Sequence, residues 1–459
     1  MSATIAIIVW FLAATVSLVR PRIGAALIWP AIWLYPNSAL YGTLPLNVRF
    51  DDLWVVFMFL LAVSYARGRG GGVLFWLAIV WAFSLILGNL AGLFVAKGLV
   101  AGGLEWQQIV KSGLKTLIAP MTVYVLTVFL QEERHVLGHL KAMGLAAAAA
   151  GILGIAMVHF PAVLSMFFIP GIRVIGFQVV GTLEMVEAGV LVARRAQGAV
   201  GTVGLAIILM NAALLALCMA IYYVRHRDRL LFACIGGVCL IGLGYTATRG
   251  AIGGLMGAIL WGILFTRRRW ALVAISLAGA AFLLAQAGLL ERIMLRVTGP
   301  AGAHETPLLE GLAARFAIWK TFVENFSPIY LLTGMGMATV MRVAKGTAHN
   351  SYLGAFVYSG IVGVAVMTAT VVRAWTLGRR LRTAADSLSQ GLGVYLTMFL
   401  VGLLVYGIVA EVFQQNLSMQ LLFAGMVLAE KRLAQSLAAQ AGEQAPQMVS
   451  GQEGYRLAY

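Results

Sequence analysis

The chain is a succession of long apolar runs joined by short polar connections. Mostly apolar residues occupy 2–19, 23–44, 53–66, 73–95, 114–130, 142–164, 200–224, 230–246, 250–266, 271–290, 351–372, 391–410 and 417–428. A backbone that crosses hydrocarbon has to pair every N–H and C=O internally, which takes about 20 apolar residues as a helix. The pattern therefore predicts an all-α polytopic membrane protein with about 12 or 13 transmembrane helices, the runs 53–66 and 417–428 being short. One large polar excursion, 291–350, interrupts the series. The predicted organisation is transmembrane helices over 1–290, a loop over 291–350, further transmembrane helices over 351–430 and a disordered tail over 431–459, rich in Gln, Ala, Gly and Ser. No internal repeat is visible.

Composition sharpens this reading. Hydrophobic residues make up 61% of the 459 and charged residues 11%, less than half the roughly 25% usual in soluble domains. A soluble globule, a disordered chain and a disulfide scaffold are excluded. The net charge of +16 would suggest a nucleic-acid partner in a soluble protein. Here the basic residues stand in short clusters between apolar runs, where they set orientation and meet anionic head groups. The bilayer is the expected partner and nucleic acid is not. Cys218, Cys234 and Cys239 lie inside apolar runs with no metal-ligand spacing and read as small core residues. The first run has no basic residue before it and Arg20 and Arg22 after it, the reverse of a secretory signal, and is expected to remain as an uncleaved helix.

Orientation follows from alternation of the runs. The connections 225–229 (RHRDR), 267–269 (RRR) and 373–382 fall on one side, which the positive-inside rule makes cytoplasmic. The connections 67–72 and 132–141 and the C-terminal tail join them. The N-terminus, the segment 167–198, Arg249, the excursion 291–350 and the segment 411–416 fall on the outer side.

Candidate chemistry collects on that outer side. His135, His139 and His226 belong to the basic side, where interfacial solvation accounts for them, and His159 ends a run before Pro161. His304 and His349 remain. His349, where the excursion re-enters the membrane, has two readings: an imidazole able to take a proton near neutral pH, or an incidental neighbour of a helix cap at Asn350 or Ser351. In 308–326, LLEGLAARFAIWKTFVENF, Leu312, Phe316, Trp319, Val323 and Phe326 recur every three or four residues. They predict an amphipathic helix lying on or dipping into the outer leaflet and ended by Ser327-Pro328. Arg315 shares a face with Leu312 and Trp319, and a guanidinium there either grips an anion such as a diphosphate or snorkels to head groups. Arg249 is a lone charge in a short outer turn, a functional candidate by position, followed by Gly250, Gly253 and Gly254 that suit close helix packing. Arg194 and Arg195 add outer positive charge, either as head-group anchors or as ligands of an anionic lipid.

Outer carboxylates are Asp51, Asp52, Glu105, Glu184, Glu187, Glu305, Glu310 and Glu411. The adjacent pair Asp51-Asp52 is weak as a divalent-ion site. Glu411 with Gln414, Gln415 and Asn416 forms a polar rim suited to sugar hydroxyls or to plain solvation. Walker, dinucleotide and Cys/His metal motifs are absent from the sequence.

Four stretches in this order, TATRGAIGGL, the helix around Arg315, LLTGMGMAT and AHNSYLGAFVYSG, resemble the O-antigen ligase and polymerase superfamily, bacterial inner-membrane enzymes that use undecaprenyl-diphosphate-linked glycans. His349 and Gly360 keep that family's spacing of ten intervening residues. The companion arginine-leucine pattern is met by Arg315 and Trp319, with tryptophan in place of leucine. The resemblance covers roughly 198–416, and RPRIGAALIWPAIWLYPNSALYG near the N-terminus is similar to O-ligase-like proteins of exopolysaccharide loci. It implies a metal-independent glycosyltransferase of GT-C type with no cofactor, in the inner membrane, its active site facing the periplasm and its C-terminus in the cytoplasm. The donor would be an undecaprenyl diphosphate glycan and the acceptor a hydroxyl of lipid A core, another glycan or a protein. Carried over by position, Arg249, Arg315 and Arg195 would hold the diphosphate and His349 would activate the acceptor. Glu411, Gln414, Asn416 and Trp319 are candidate glycan or acceptor contacts. A polymerase using the same donor is the alternative. A lipid-linked sugar transporter is a third reading, disfavoured because its class carries midplane charges or broken helices.

Overall fold

Apolar runs with their few charges at the ends can satisfy a buried backbone only as helices, and every described element is helical. The computed structural model describes residues 3–34, 50–66, 72–95, 113–159, 201–223, 225–246, 248–266, 268–271, 273, 308–337, 339–340 and 347–453. The helices are α1 (Ala3–Val19), α2 (Pro21–Ala26), α3 (Ile28–Trp33), α4 (Phe50–Ala66), α5 (Val73–Val95), α6 (Ile118–Phe129), α7 (Glu133–His159), α8 (Gly201–Tyr222), α9 (His226–Thr246), α10 (Arg249–Phe265), α11 (Leu308–Glu324), α12 (Tyr330–Thr333), α13 (Ser351–Arg382), α14 (Ser387–Gly407) and α15 (Asn416–Glu453).

Among the described residues six helices are long and apolar enough to cross a membrane: α5, α7, α8, α9, α13 and α14. The protein is a multi-pass membrane protein. Shorter apolar helices lie at α1, α4, α6 and α10. The described part of the run at 23–44 lies in the six-residue helices α2 and α3, joined at Leu27. Most of the run at 271–290 and the first part of the large excursion lie outside the described residues, as do Arg194, Arg195, His304, Glu305, Glu105, Glu184 and Glu187.

Helices α8 and α14 form the centre, 83% and 78% buried against 44% for α5, α9 and α13. Both are apolar around their whole circumference, as a helix surrounded by others should be. Helix α14 packs on α8, α10, α13 and α15. Its Gly402 meets Gly254 of α10 backbone to backbone, the close approach that small residues permit between membrane helices. Two pairs of buried polar side chains join helices: the Tyr395 hydroxyl donates to Asn211 Oδ1 at 2.7 Å, and Gln420 Nε2 donates to Thr122 Oγ1 at 2.7 Å. Large apolar side chains such as Phe11, Leu12, Trp76 and Leu264 are exposed on the outer helices, which in this composition face lipid.

The basic connections gather at one end of the bundle. Arg268 donates to the Ile221 carbonyl and stacks over Tyr222, and Arg382 stacks over Trp261. At the same end Arg432 of α15, 8% exposed, reaches Glu133 of α7 at 2.5 Å, Asp386 at 2.8 Å and Ser389 Oγ at 3.2 Å. Lys141 pairs with Asp228, and Arg373 with Glu430, each at 2.5 Å.

Three expectations change. His139 is 2% exposed and accepts from Trp29 Nε1 at 2.7 Å; it lies nearly two turns inside α7, where α3 covers it, and is no interfacial residue. Cys234 is exposed while Cys218 and Cys239 are buried, because α9 turns one side away from the bundle. Helix α15 continues to Glu453, through the stretch predicted as a disordered tail, whose many Ala, Gln, Glu and Leu residues are good helix formers.

Candidate functional site

The opposite end of the bundle is built around the start of α13. Asn350 is its N-cap: Oδ1 accepts from the backbone N–H of Tyr352 and of Leu353, both at 2.9 Å, which answers two of the donors a helix start leaves open. Its amide also donates to the Ile408 carbonyl at 3.0 Å, tying α13 to the end of α14. Ser351 Oγ bridges the same elements, donating to Ala410 O at 2.8 Å and accepting from Phe413 N at 3.2 Å.

His349 immediately precedes this cap. It is the one described non-glycine residue with positive φ, 49°. For an L residue that conformation costs on the order of 1 kcal/mol, so the surroundings must hold it. They do so through Glu411, whose Oε1 accepts from the His349 backbone N–H at 2.8 Å and from the Tyr358 hydroxyl at 2.5 Å. The Tyr358 oxygen in turn accepts from Ala348 N at 3.0 Å. Glu411 is 7% exposed and Tyr358 fully buried.

Helix α11 reaches the same loop. Trp319 Nε1 donates to the Ala348 carbonyl at 2.7 Å. Arg315, one turn earlier, shares that inward side with Trp319 and the buried Phe322. Phe316 and Val323, expected on the same face, are 61% and 78% exposed. Helix α11 has one apolar side against protein and another turned outward, so a single predicted stripe merged two surfaces. Among the described residues no carboxylate pairs with Arg315; the ion pair on this helix is the exposed Lys320 with Glu324.

The imidazole of His349 keeps an open side, yet partial burial pushes it below the usual histidine range; Glu411 opposes that shift and Arg315 adds to it. That shift favours the neutral ring, the form able to accept a proton. The same couplings put Arg315 and Glu411 each within electrostatic reach of His349.

Arg249 is exposed at the first position of α10, whose N-cap Thr248 makes no side-chain cap bond. Gly250 beside it packs against Tyr406 and Val409, which places Arg249 at this same end next to the connection from α14 to α15. A cation at a helix N-terminus adds to the positive end of the helix dipole, where anions are favoured. Gln414 donates to Ser351 O at 2.8 Å and is partly buried, and Asn416 opens α15. Arg195 lies outside the described residues.

The sequence reading missed what lies beneath. Helix α13 is broken at Gly360, φ 61° and ψ −155°, a conformation nearly reserved for glycine. The carbonyls freed by the break are used: Met335 N donates to Val357 O at 2.7 Å and Gly336 N to Tyr358 O at 3.2 Å. The segment after α12 is therefore stitched into the gap, and Gly88 and Gly92 of α5 let a third backbone approach it. The stretch GNLAG in α5, a polar residue flanked by glycines inside an apolar run, was the available signal. Tyr358 carried none, since one tyrosine among apolar residues looks like packing.

Between α5, α13 and α15 lies a small hollow, no larger than a water molecule or so, bordered by Trp81, Ser359, Met367, Phe413, Gln414 and Met419. Among the described residues no three His, Cys, Asp or Glu side chains gather closely enough to hold a metal ion. No protein-family model matches this chain, and no curated protein matches it.

Proposed function

We propose that the chain is an O-antigen ligase-like glycosyltransferase of GT-C type that moves a glycan from undecaprenyl diphosphate to an acceptor hydroxyl on the periplasmic face of the bacterial inner membrane. The observation that carries this reading is the meeting of an arginine that has no carboxylate partner among the described residues with a neutral imidazole. Arg315 lies within electrostatic reach of His349, and Trp319 ties its helix to the loop that bears that histidine. The four motifs of the resemblance support it, as does the separation of this end from the basic end that the positive-inside rule makes cytoplasmic.

In the reaction the acceptor oxygen forms a bond to the anomeric carbon and gives its proton to His349. The anomeric carbon–oxygen bond to the diphosphate breaks, its electron pair leaving with the phosphate oxygen. Arg315 and Arg249 stabilise that charge, each well-placed donor contributing about 3 to 4 kcal/mol in a site of reduced dielectric. A general base adds typically about 10² to 10⁴-fold. The energy of the new bond comes with the lipid diphosphate, so the reaction needs no nucleotide.

The test is reconstitution in liposomes with a purified lipid-linked glycan and either lipid A core or a second lipid-linked repeat. Product on lipid A core identifies a ligase and lengthening on lipid a polymerase; absence of covalent product with both acceptors rejects the proposal. One observation favours a second reading, transport: the broken α13, since transporters build their sites on discontinuous helices. Counterflow of the lipid-linked sugar without acceptor and without product would establish it.

A further inference from the structure

We infer that Glu411 is the positioning residue of His349: with Tyr358 it clamps the Ala348-His349 backbone in its left-handed turn and sets a negative charge beside the imidazole. The inference deepens the proposed reaction and rests on His349 being its base.

The geometry is that of a clamp. One carboxylate oxygen takes two donors from opposite sides, the His349 backbone N–H at 2.8 Å and the Tyr358 hydroxyl at 2.5 Å, and the tyrosine oxygen takes the Ala348 N–H at 3.0 Å. Two successive backbone donors of the loop are thus fixed through one buried carboxylate. The hydrogen bonds described for Glu411 come from uncharged donors, and among the described residues no Lys or Arg forms an ion pair with it. A buried carboxylate without a cation is costly, and a glutamine could accept the same two hydrogen bonds. What glutamine lacks is charge. The charge acts on the ring: the carboxylate favours the imidazolium that forms when His349 takes a proton, while Arg315 disfavours it. The charged groups coupled to the ring are Glu411 from the connection between α14 and α15 and Arg315 from α11; the Tyr358 hydroxyl of α13 meets Glu411, and Arg249 of α10 lies at the same end.

The experiment uses the full chain in lipid nanodiscs with isotope-labelled histidine, the His349 signal assigned by its loss in His349→Asn. The titration of His349 is followed by NMR in wild type, Glu411→Gln, Glu411→Asp and Tyr358→Phe. Glu411→Gln moves the His349 midpoint to lower pH, Glu411→Asp restores it toward wild type, and Tyr358→Phe broadens the signal by loosening the loop. An unmoved midpoint in Glu411→Gln overturns the inference, and so does a midpoint in Glu411→Asp that matches Glu411→Gln. Should Glu411→Gln fail to fold, the comparison of Glu411→Asp and Tyr358→Phe with wild type decides, an unchanged midpoint and line shape in both overturning the clamp. These readouts need no turnover, so a wild type that transfers no glycan would reject the proposed function and leave the clamp standing.

Discussion

At the end of the bundle that carries the basic connections, Arg432 is buried among Glu133, Asp386 and Ser389, and Lys141 and Arg373 each have a carboxylate of their own. At the other end the buried charge is a carboxylate, Glu411, described with uncharged donors, and Arg315 on the adjoining helix pairs with no carboxylate among the described residues. Charges answered within the chain hold helices together. Charges held in place but left unanswered remain available to something that binds.

Substitutions should separate the two kinds. Arg315→Ala is expected to lower glycan transfer by about 10² to 10³-fold, the loss typical of one donor to a developing anion, with thermal unfolding of the purified protein nearly unchanged. An equal loss of stability would erase the distinction. Arg432→Ala should do the reverse: about 2 to 3 kcal/mol of stability, below the usual range for a broken buried pair because Glu133 is half exposed, measured as a lowered unfolding midpoint with transfer per folded molecule retained. Acid probes the same end. Burial raises the Asp386 carboxyl, but the hydrogen bonds from Ser389 and Arg432 outweigh it and hold the group below its ordinary value. Its contribution to stability is therefore complete above that ordinary value and disappears as pH falls through the lower folded one. In Arg432→Ala this acid sensitivity should shrink.

Gly360→Ala tests the ground beneath the site. A Cβ there would run into the Leu332 carbonyl and demand a backbone few residues adopt, costing about 1 to 3 kcal/mol or more and loosening the His349 loop through Val357 and Tyr358. The smallest effect belongs to Lys320→Ala, which removes an exposed pair with Glu324 one turn away on α11 and should change stability by less than about 0.5 kcal/mol. Both are read from thermal unfolding.

The all-helical membrane architecture was legible because hydrocarbon leaves the backbone few choices, and the basic end because clustered arginines stand out between apolar runs. His349, Arg315 and Glu411 were also visible as polar residues out of place. Their relations were not. That Tyr358 reaches back to Ala348, or that Glu411 points inward, depends on a break at Gly360 and on backbone hydrogen bonds from the segment after α12 to α13, of which the sequence shows no more than the glycines of α5. Phe316 and Val323 show the same limit from another direction, since an apolar residue facing lipid and one facing protein look alike in a sequence.

The proposed transferase stands on Arg315 gripping a lipid diphosphate. Equilibrium binding of undecaprenyl diphosphate to wild type and to Arg315→Ala, with undecaprenol as the uncharged comparison, tests it most directly. The diphosphate is expected to bind wild type and to be lost or greatly weakened in the variant while undecaprenol binds both alike; equal binding of the diphosphate to both proteins would mean that Arg315 does not hold it.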